Sequence, residues 1–157
     1  MKKIQTAILA IGIMILGQVA VLAQTQNVWR SLSEVSYKIS EDQFGELYVP
    51  VFSDNIKKLE GKIVEADGYI IPFEGMFKPE HIILSSLPLA ECFFCGSGGP
   101  ETVMEAEMSK PIKYTSNRVK VRGKLTLNSK DPEKLMSILT DATLVNENPP
   151  IFLDEEA

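Results

Sequence analysis

A chain of 157 residues, 45% hydrophobic and 24% charged, has the length of a single domain. Its formal charge of −5 and pI near 5.0 leave no cationic footprint for neutralising phosphates, so no nucleic acid is expected as a partner. Two cysteines are too few for a multi-bridge disulfide scaffold, and the sequence carries no P-loop, dinucleotide fingerprint or His-Glu-x-x-His run.

Met1-Lys2-Lys3 precedes an almost unbroken apolar stretch over residues 4–16, and Val21-Leu22-Ala23 supplies small residues where a signal peptidase reads. Gln18 cuts the apolar run below the ~20 residues that span a bilayer. The expectation is a signal peptide over residues 1–23, cleaved before Gln24. With no cysteine near that point to carry a lipid, the product is expected to be a soluble periplasmic protein and not a lipoprotein. Removing the leader takes away Lys2 and Lys3 and deepens the charge from −5 to −7.

Residues 27–44 hold scattered apolar anchors, Trp29, Leu32, Val35 and Tyr37, and read as a short helix or an extended arm. Residues 48–52 read as a strand that Pro50, lacking a backbone donor, confines to an edge. Ser53 can cap a short helix running to Leu59, with Gly61 at its C-terminus. Residues 62–73 place Val64, Ala66, Gly68 and Ile70 on one side, the period of a half-buried strand, and Gly68 marks a bulge or bend. Beyond a turn-rich segment over 72–80, strands are expected over 81–87, 103–108 and 117–128. The last puts Val119, Val121, Gly123, Leu125 and Leu127 on one face and Arg118, Lys120, Arg122 and Lys124 on the other. That basic row reads as sheet chemistry against Glu105 and Glu107 of the preceding strand. Asp131-Pro132 opens a helix whose buried stripe is Leu135, Ile138, Leu139 and Ala142.

The expected fold is therefore mainly β with minor α, a small antiparallel OB-like barrel with one C-terminal helix. The layout is leader 1–23, N-terminal arm 24–46, barrel 47–145 and acidic tail 146–157.

Chemistry concentrates in the turn Cys92-Phe93-Phe94-Cys95-Gly96. Thiols at this spacing can face one point, and the following glycine permits positive φ. The motif looks like half of a zinc knuckle, but a closed structural site needs four ligands. His81 with Glu91 or Glu101 would have to complete a site for zinc or another transition metal, or two chains of a homodimer would each donate a pair. A structural Cys92–Cys95 disulfide is a second reading, although so small a ring returns only about 2 kcal/mol. Thiol-disulfide exchange, Cys92 attacking and Cys95 resolving, is a third, although glycine-rich chain follows where reactive pairs usually have a helix. Trp29, Phe93 and Phe94 read as core anchors. No acid–base pair can be placed across a cleft from Glu74, Glu80 and Glu91, and no serine sits in a nucleophile elbow, so an enzymatic reading has no constellation to rest on.

Pro50 and Phe52, Leu59-x-Gly61, Val64-x-x-x-Gly68-Tyr69-x-x-Pro72, the cysteine turn and Val119-x-Val121-x-Gly123-x-Leu125 together resemble the exported bacterial family known as domain of unknown function 3299. The similarity spans about half the chain. It implies a periplasmic OB-like domain whose relatives look like accessories to membrane transport systems. In that family a histidine stands two residues after the cysteine, ahead of a proline-rich turn. Here Phe94 and Cys95 occupy that place, followed by glycines. The functional expectation is a non-enzymatic accessory that binds a metal or a partner at Cys92/Cys95, the partner being an envelope membrane protein or transporter component. Thiol-disulfide exchange and a plain interaction module are the alternatives.

Overall fold

The computed structural model describes residues 27–43, 45–72 and 78–145. The expected leader, the first residues of the arm, part of the 72–80 turn and the acidic tail lie outside the described residues. Val64, Ala66 and Ile70 turn inward along β3 (Ile63–Ile71), as the period-two pattern requires. The strand changes partner at the expected glycine. It pairs antiparallel with β6 (Val119–Leu127) up to Gly68↔Val119, and from Tyr69↔Ser85 onward with β4 (His81–Ser85). A Cβ on Gly68 would overlap the Ser85 carbonyl oxygen and stand 2.9 Å from Leu84 Cγ. Only glycine lets the two strands approach here, and the barrel turns its corner on that residue.

β4 continues antiparallel to β5 (Val103–Met108), and β5 lies parallel to β7 (Ser137–Leu144), which returns antiparallel to β6. The closed order is β3-β4-β5-β7-β6. Renumbered within the barrel this is 1-2-3-5-4, closing on 1, the connectivity of an OB-like barrel. One pairing of the five is parallel, so the barrel is mixed and, as expected, mostly antiparallel.

The expected C-terminal helix is replaced by β7. Its start signal operates for a single turn: Asp131 Oδ1 accepts from the Glu133 N–H at 3.0 Å, and the Lys134 N–H donates to the Asp131 carbonyl at 3.3 Å. The next helical bond, from Leu135 N–H to the Asp131 carbonyl, is pre-empted because Leu135 N–H donates to Glu105 Oε1. Asn128 Nδ2 meanwhile donates to the carbonyls of Asp131, Lys134 and Leu135. With donors and acceptors taken by side chains, the chain enters the sheet at Ser137. Met136 to Leu139 are buried consecutively, a burial run that helical spacing does not produce.

β7 carries one extra residue. Lys124↔Thr140 is followed by Arg122↔Thr143 on one side, and Ala106↔Leu139 by Met108↔Ala142 on the other. Asp141, at φ 52°, is the bulged residue, and Gly123 makes room opposite, where a Cβ would stand 3.0 Å from Leu139 Cβ and from the Thr140 carbonyl oxygen.

The basic row of β6 faces other partners than expected. β6 neighbours β3 and β7, so Lys120 lies 3.8 Å from both Glu65 and Asp67, and Arg122 4.0 Å from Glu65. Glu105 and Glu107 stand on β5, which does not pair with β6.

Ahead of the barrel, Asn27 caps α1 (Val28–Leu32), and Trp29 Nε1 donates to the Asp67 carbonyl at 2.9 Å. Ser53 caps α2 (Asp54–Lys57), and Gly61 takes φ 74° behind it. Val28, Leu32 and Ile56 join the barrel interior in one hydrophobic cluster. Between the helices, β1 (Ser36–Asp42) and β2 (Gly45–Val51) form a separate two-stranded hairpin in which Pro50 faces Tyr37. Among the described residues no helix is long and apolar enough to cross a membrane.

Candidate functional site

β4 and β5 present His81, Ile83, Glu105 and Glu107 on their outer face, since Ile82, Leu84, Met104 and Ala106 take the inner one. An outer-face glutamate is ordinarily solvated. Glu105 is instead 6% exposed, because residues 131–135 cross over it between β6 and β7. Burying a carboxylate is costly unless its oxygens are paired. One oxygen accepts the Leu135 N–H, and Oε2 lies 2.9 Å from His81 Nε2. The histidine and glutamate are diagonal neighbours on the two strands, His81 opposite Glu107 and Ile83 opposite Glu105. A carboxylate only accepts, so Nε2 carries a proton and is the donor of this pair.

This pair opens on a cavity of about 480 Å³, walled by Ile71, Lys78, Ile83 and Phe94 and closed by Pro132 and Lys134 of the loop. A second cavity, about 260 Å³, lies between the same loop and the β1–β2 hairpin, with Phe93, Tyr37 and Tyr48 in its wall. Asp131, Pro132, Lys134 and Leu135 border both, so the loop is the partition between them. Asn128 holds that partition: besides its three Nδ2 bonds, its Oδ1 accepts from the Lys130 and Asp131 N–H groups at 3.1 and 2.9 Å.

The cysteine turn supplies one phenylalanine to each cavity. Phe93–Cys95 forms a single 3₁₀ turn in which the Cys95 N–H donates to the Cys92 carbonyl at 3.0 Å and the Gly96 N–H to the Phe93 carbonyl at 3.1 Å. Gly96 ends it at φ 91°, the conformation expected of the glycine after the second cysteine. The two rings meet edge to face with centroids 5.2 Å apart. Phe93 is half-buried and Phe94 exposed, so neither is the core anchor expected of it.

The expected metal set of Cys92, Cys95 and His81 is not assembled. His81 Nε2 is committed to Glu105, and among the described residues no group of three or more His, Cys, Asp or Glu side chains is placed to hold an ion. Nor are the cysteines bridged: both are free thiols with Sγ atoms 3.6 Å apart, well beyond the ~2.05 Å of a disulfide bond. Cys92 is fully buried and Cys95 exposed, which is the reverse of the accessibility an attacking Cys92 needs. The hydrogen bond shared with Cys92, followed by desolvation and the charge Cys92 would carry, pushes the Cys95 thiol above its ordinary range. A thiol held protonated is a poor attacking group near neutral pH.

Glu105 and the 131–135 loop are the functional elements that sequence reasoning missed. The available signal was a glutamate alternating with Met104 and Ala106 in a strand of the barrel. Protein-family models, curated proteins and solved structures were all compared with this chain, and none matches it.

Proposed function

We propose that this chain is a non-enzymatic binding module of the cell envelope, working through the face that joins the cysteine turn, the His81–Glu105 pair and the 131–135 loop. One observation carries the reading: the ~480 Å³ cavity lies on β4 and β5 beside the loop between the last two barrel strands. OB barrels engage their ligands through those strands and that loop. Its walls set apolar side chains such as Ile71, Ile83 and Phe94 beside an equal number of ionisable ones, Lys78, His81, Glu105 and Lys134 among them. The paired imidazole and buried carboxylate give a bound group a fixed polar contact. The net charge disfavours the polyanionic partners common among such barrels and is compatible with a protein partner or a metal ion. The leader-like residues 1–23 and the resemblance to an exported family support an envelope location, with a membrane protein or transporter component as the partner.

The test is site-specific photocross-linking in cells. A photoreactive residue at Phe94 or Lys134 should yield a discrete adduct with an envelope protein. The same residue at Arg122, on β6 away from the cavity, should not. Equal labelling from all three positions, or none from Phe94 and Lys134, overturns the reading.

A further inference from the structure

We infer that the Cys92/Cys95 turn is a two-thiolate site for a soft d¹⁰ cation of the zinc and cadmium class, one ion per chain, with the remaining coordination positions left open. This rests on the proposed binding face only in sharing the turn, since the inference concerns the two sulfurs. Zinc takes thiolates at about 2.3 Å in tetrahedral geometry, which sets two bound sulfurs about 3.8 Å apart. The observed separation is 3.6 Å. The two thiols, which share a hydrogen bond at that distance, already stand close to the spacing that a shared ion would set. The backbone holds both thiols on one tight turn: Cys92 enters extended at φ −70° and ψ 165°, one 3₁₀ turn carries Phe93 to Cys95, and Gly96 takes φ 91° behind it.

The placement of the thiols selects both the ligand and the manner of holding it. Soft sulfur donors favour thiophilic ions over magnesium or calcium, which take oxygen. Cys92 is at 0% exposure and Cys95 is open to solvent, so an ion enters from the Cys95 side and keeps its vacant positions outward. Among the described residues no third side chain is placed to close the shell. A closed structural site takes four protein ligands. Two thiolates with outward vacancies instead suit an ion that is acquired and passed on, or shared with a partner's donor. Uptake is an exchange without redox change: two S–H bonds break, two metal–sulfur bonds form, and both protons go to solvent.

Cadmium is the probe, added alone to the purified protein, reduced and kept anaerobic. The expected result is a thiolate-to-metal charge-transfer absorption that saturates at one cadmium per chain with release of about two protons. Cys95→Ser should weaken uptake at least tenfold while leaving the fold intact, because Cys95 is exposed. Cys92→Ser should do the same, with amide NMR confirming that the turn is folded, and Arg122→Gln, on β6 away from the turn, should leave uptake unchanged. Absence of the charge-transfer band in the reduced protein, or equal affinity in Cys95→Ser, overturns the inference. Cross-links from Lys134 that persist when cadmium uptake fails overturn the metal site alone and leave the proposed binding face standing.

Discussion

His81 Nε2 lies 2.9 Å from Glu105 Oε2, while the other oxygen of the same buried carboxylate accepts the backbone N–H of Leu135. One side chain thus ties a barrel strand, an exposed imidazole and the loop that covers the cavity. Glu105→Ala leaves the Leu135 N–H without its acceptor, at a cost of about 1–3 kcal/mol. Glu105→Gln keeps an acceptor for Leu135 and can donate to His81, so it should retain most of the stability while moving the imidazole proton to Nδ1. Denaturant titration measures the first effect and ¹⁵N shifts of the His81 ring the second. An alanine variant as stable as the parent would show that the loop does not depend on this carboxylate.

Asn128 governs the same loop from the opposite end. Its side chain makes five hydrogen bonds with backbone groups of residues 130–135. Asn128→Ala should speed amide exchange across 130–135 by at least tenfold with little change in β3 to β5, and should reduce cross-linking from Lys134. Asn128→Asp keeps the oxygen that accepts from Lys130 and Asp131 but sets a second acceptor against three carbonyls, so it should rescue little. Unchanged exchange in the alanine variant would assign the loop's order to other contacts.

Gly68 is the corner where β3 passes from β6 to β4, with the Ser85 carbonyl and Leu84 occupying the space of any Cβ. Gly68→Ala must push two strands apart, and the expected loss is about 2–4 kcal/mol by the overpacking and backbone-shift route. The measurement is the shift in denaturation midpoint at unchanged m-value. A loss within about 0.5 kcal/mol, the range of ordinary surface substitutions, would contradict the corner role.

Asp141 sits exposed at φ 52° on the β7 bulge. Aspartate tolerates that region and a β-branched residue does not. Asp141→Val should destabilise by about 1–2 kcal/mol, whereas Asp141→Gly should change stability by less than about 1 kcal/mol. The contrast between the two, read in one denaturation series, separates backbone conformation from any loss of the carboxylate.

Tyr37 is pushed up to about 12 by burial, with the Glu101 carboxylate adding to the effect, and its hydroxyl donates to Met136 Sδ at 3.5 Å. Because the folded value lies above the ordinary value near 10, the neutral phenol favours the folded state. That contribution is complete below about pH 10 and is lost as the pH rises through about 12. Tyr37 should therefore give a late step in ultraviolet absorbance, and Tyr37→Phe should remove that step. A late step that persists in Tyr37→Phe, or its absence from the parent, would show that Tyr37 is not shielded.

Where period and punctuation carry information locally, the amino-acid sequence determined the outcome. β3, β5 and β6 follow from alternation, the caps at Ser53 and Gly61 from residue type, and the corner at Gly68 from a glycine inside a strand pattern. The cysteine turn and the positive φ of Gly96 were legible for the same reason, since a turn is decided within a few residues. The tertiary structure decided what depends on partners distant in sequence. Residues 131–142 carry a sound helix signal, yet Glu105, some thirty residues earlier, takes the N–H that the second helical turn needs. The basic row on β6 meets Glu65 and Asp67, not Glu105, because closure of the barrel puts β7 between β5 and β6. His81 and Glu105 become a pair only because a long connection between β4 and β5 still sets them in register, and Glu105 is buried only because a third segment lies over it. Local energetics write the elements; which side chains share a cavity is fixed by long-range pairing, where no single stretch of sequence contains both partners.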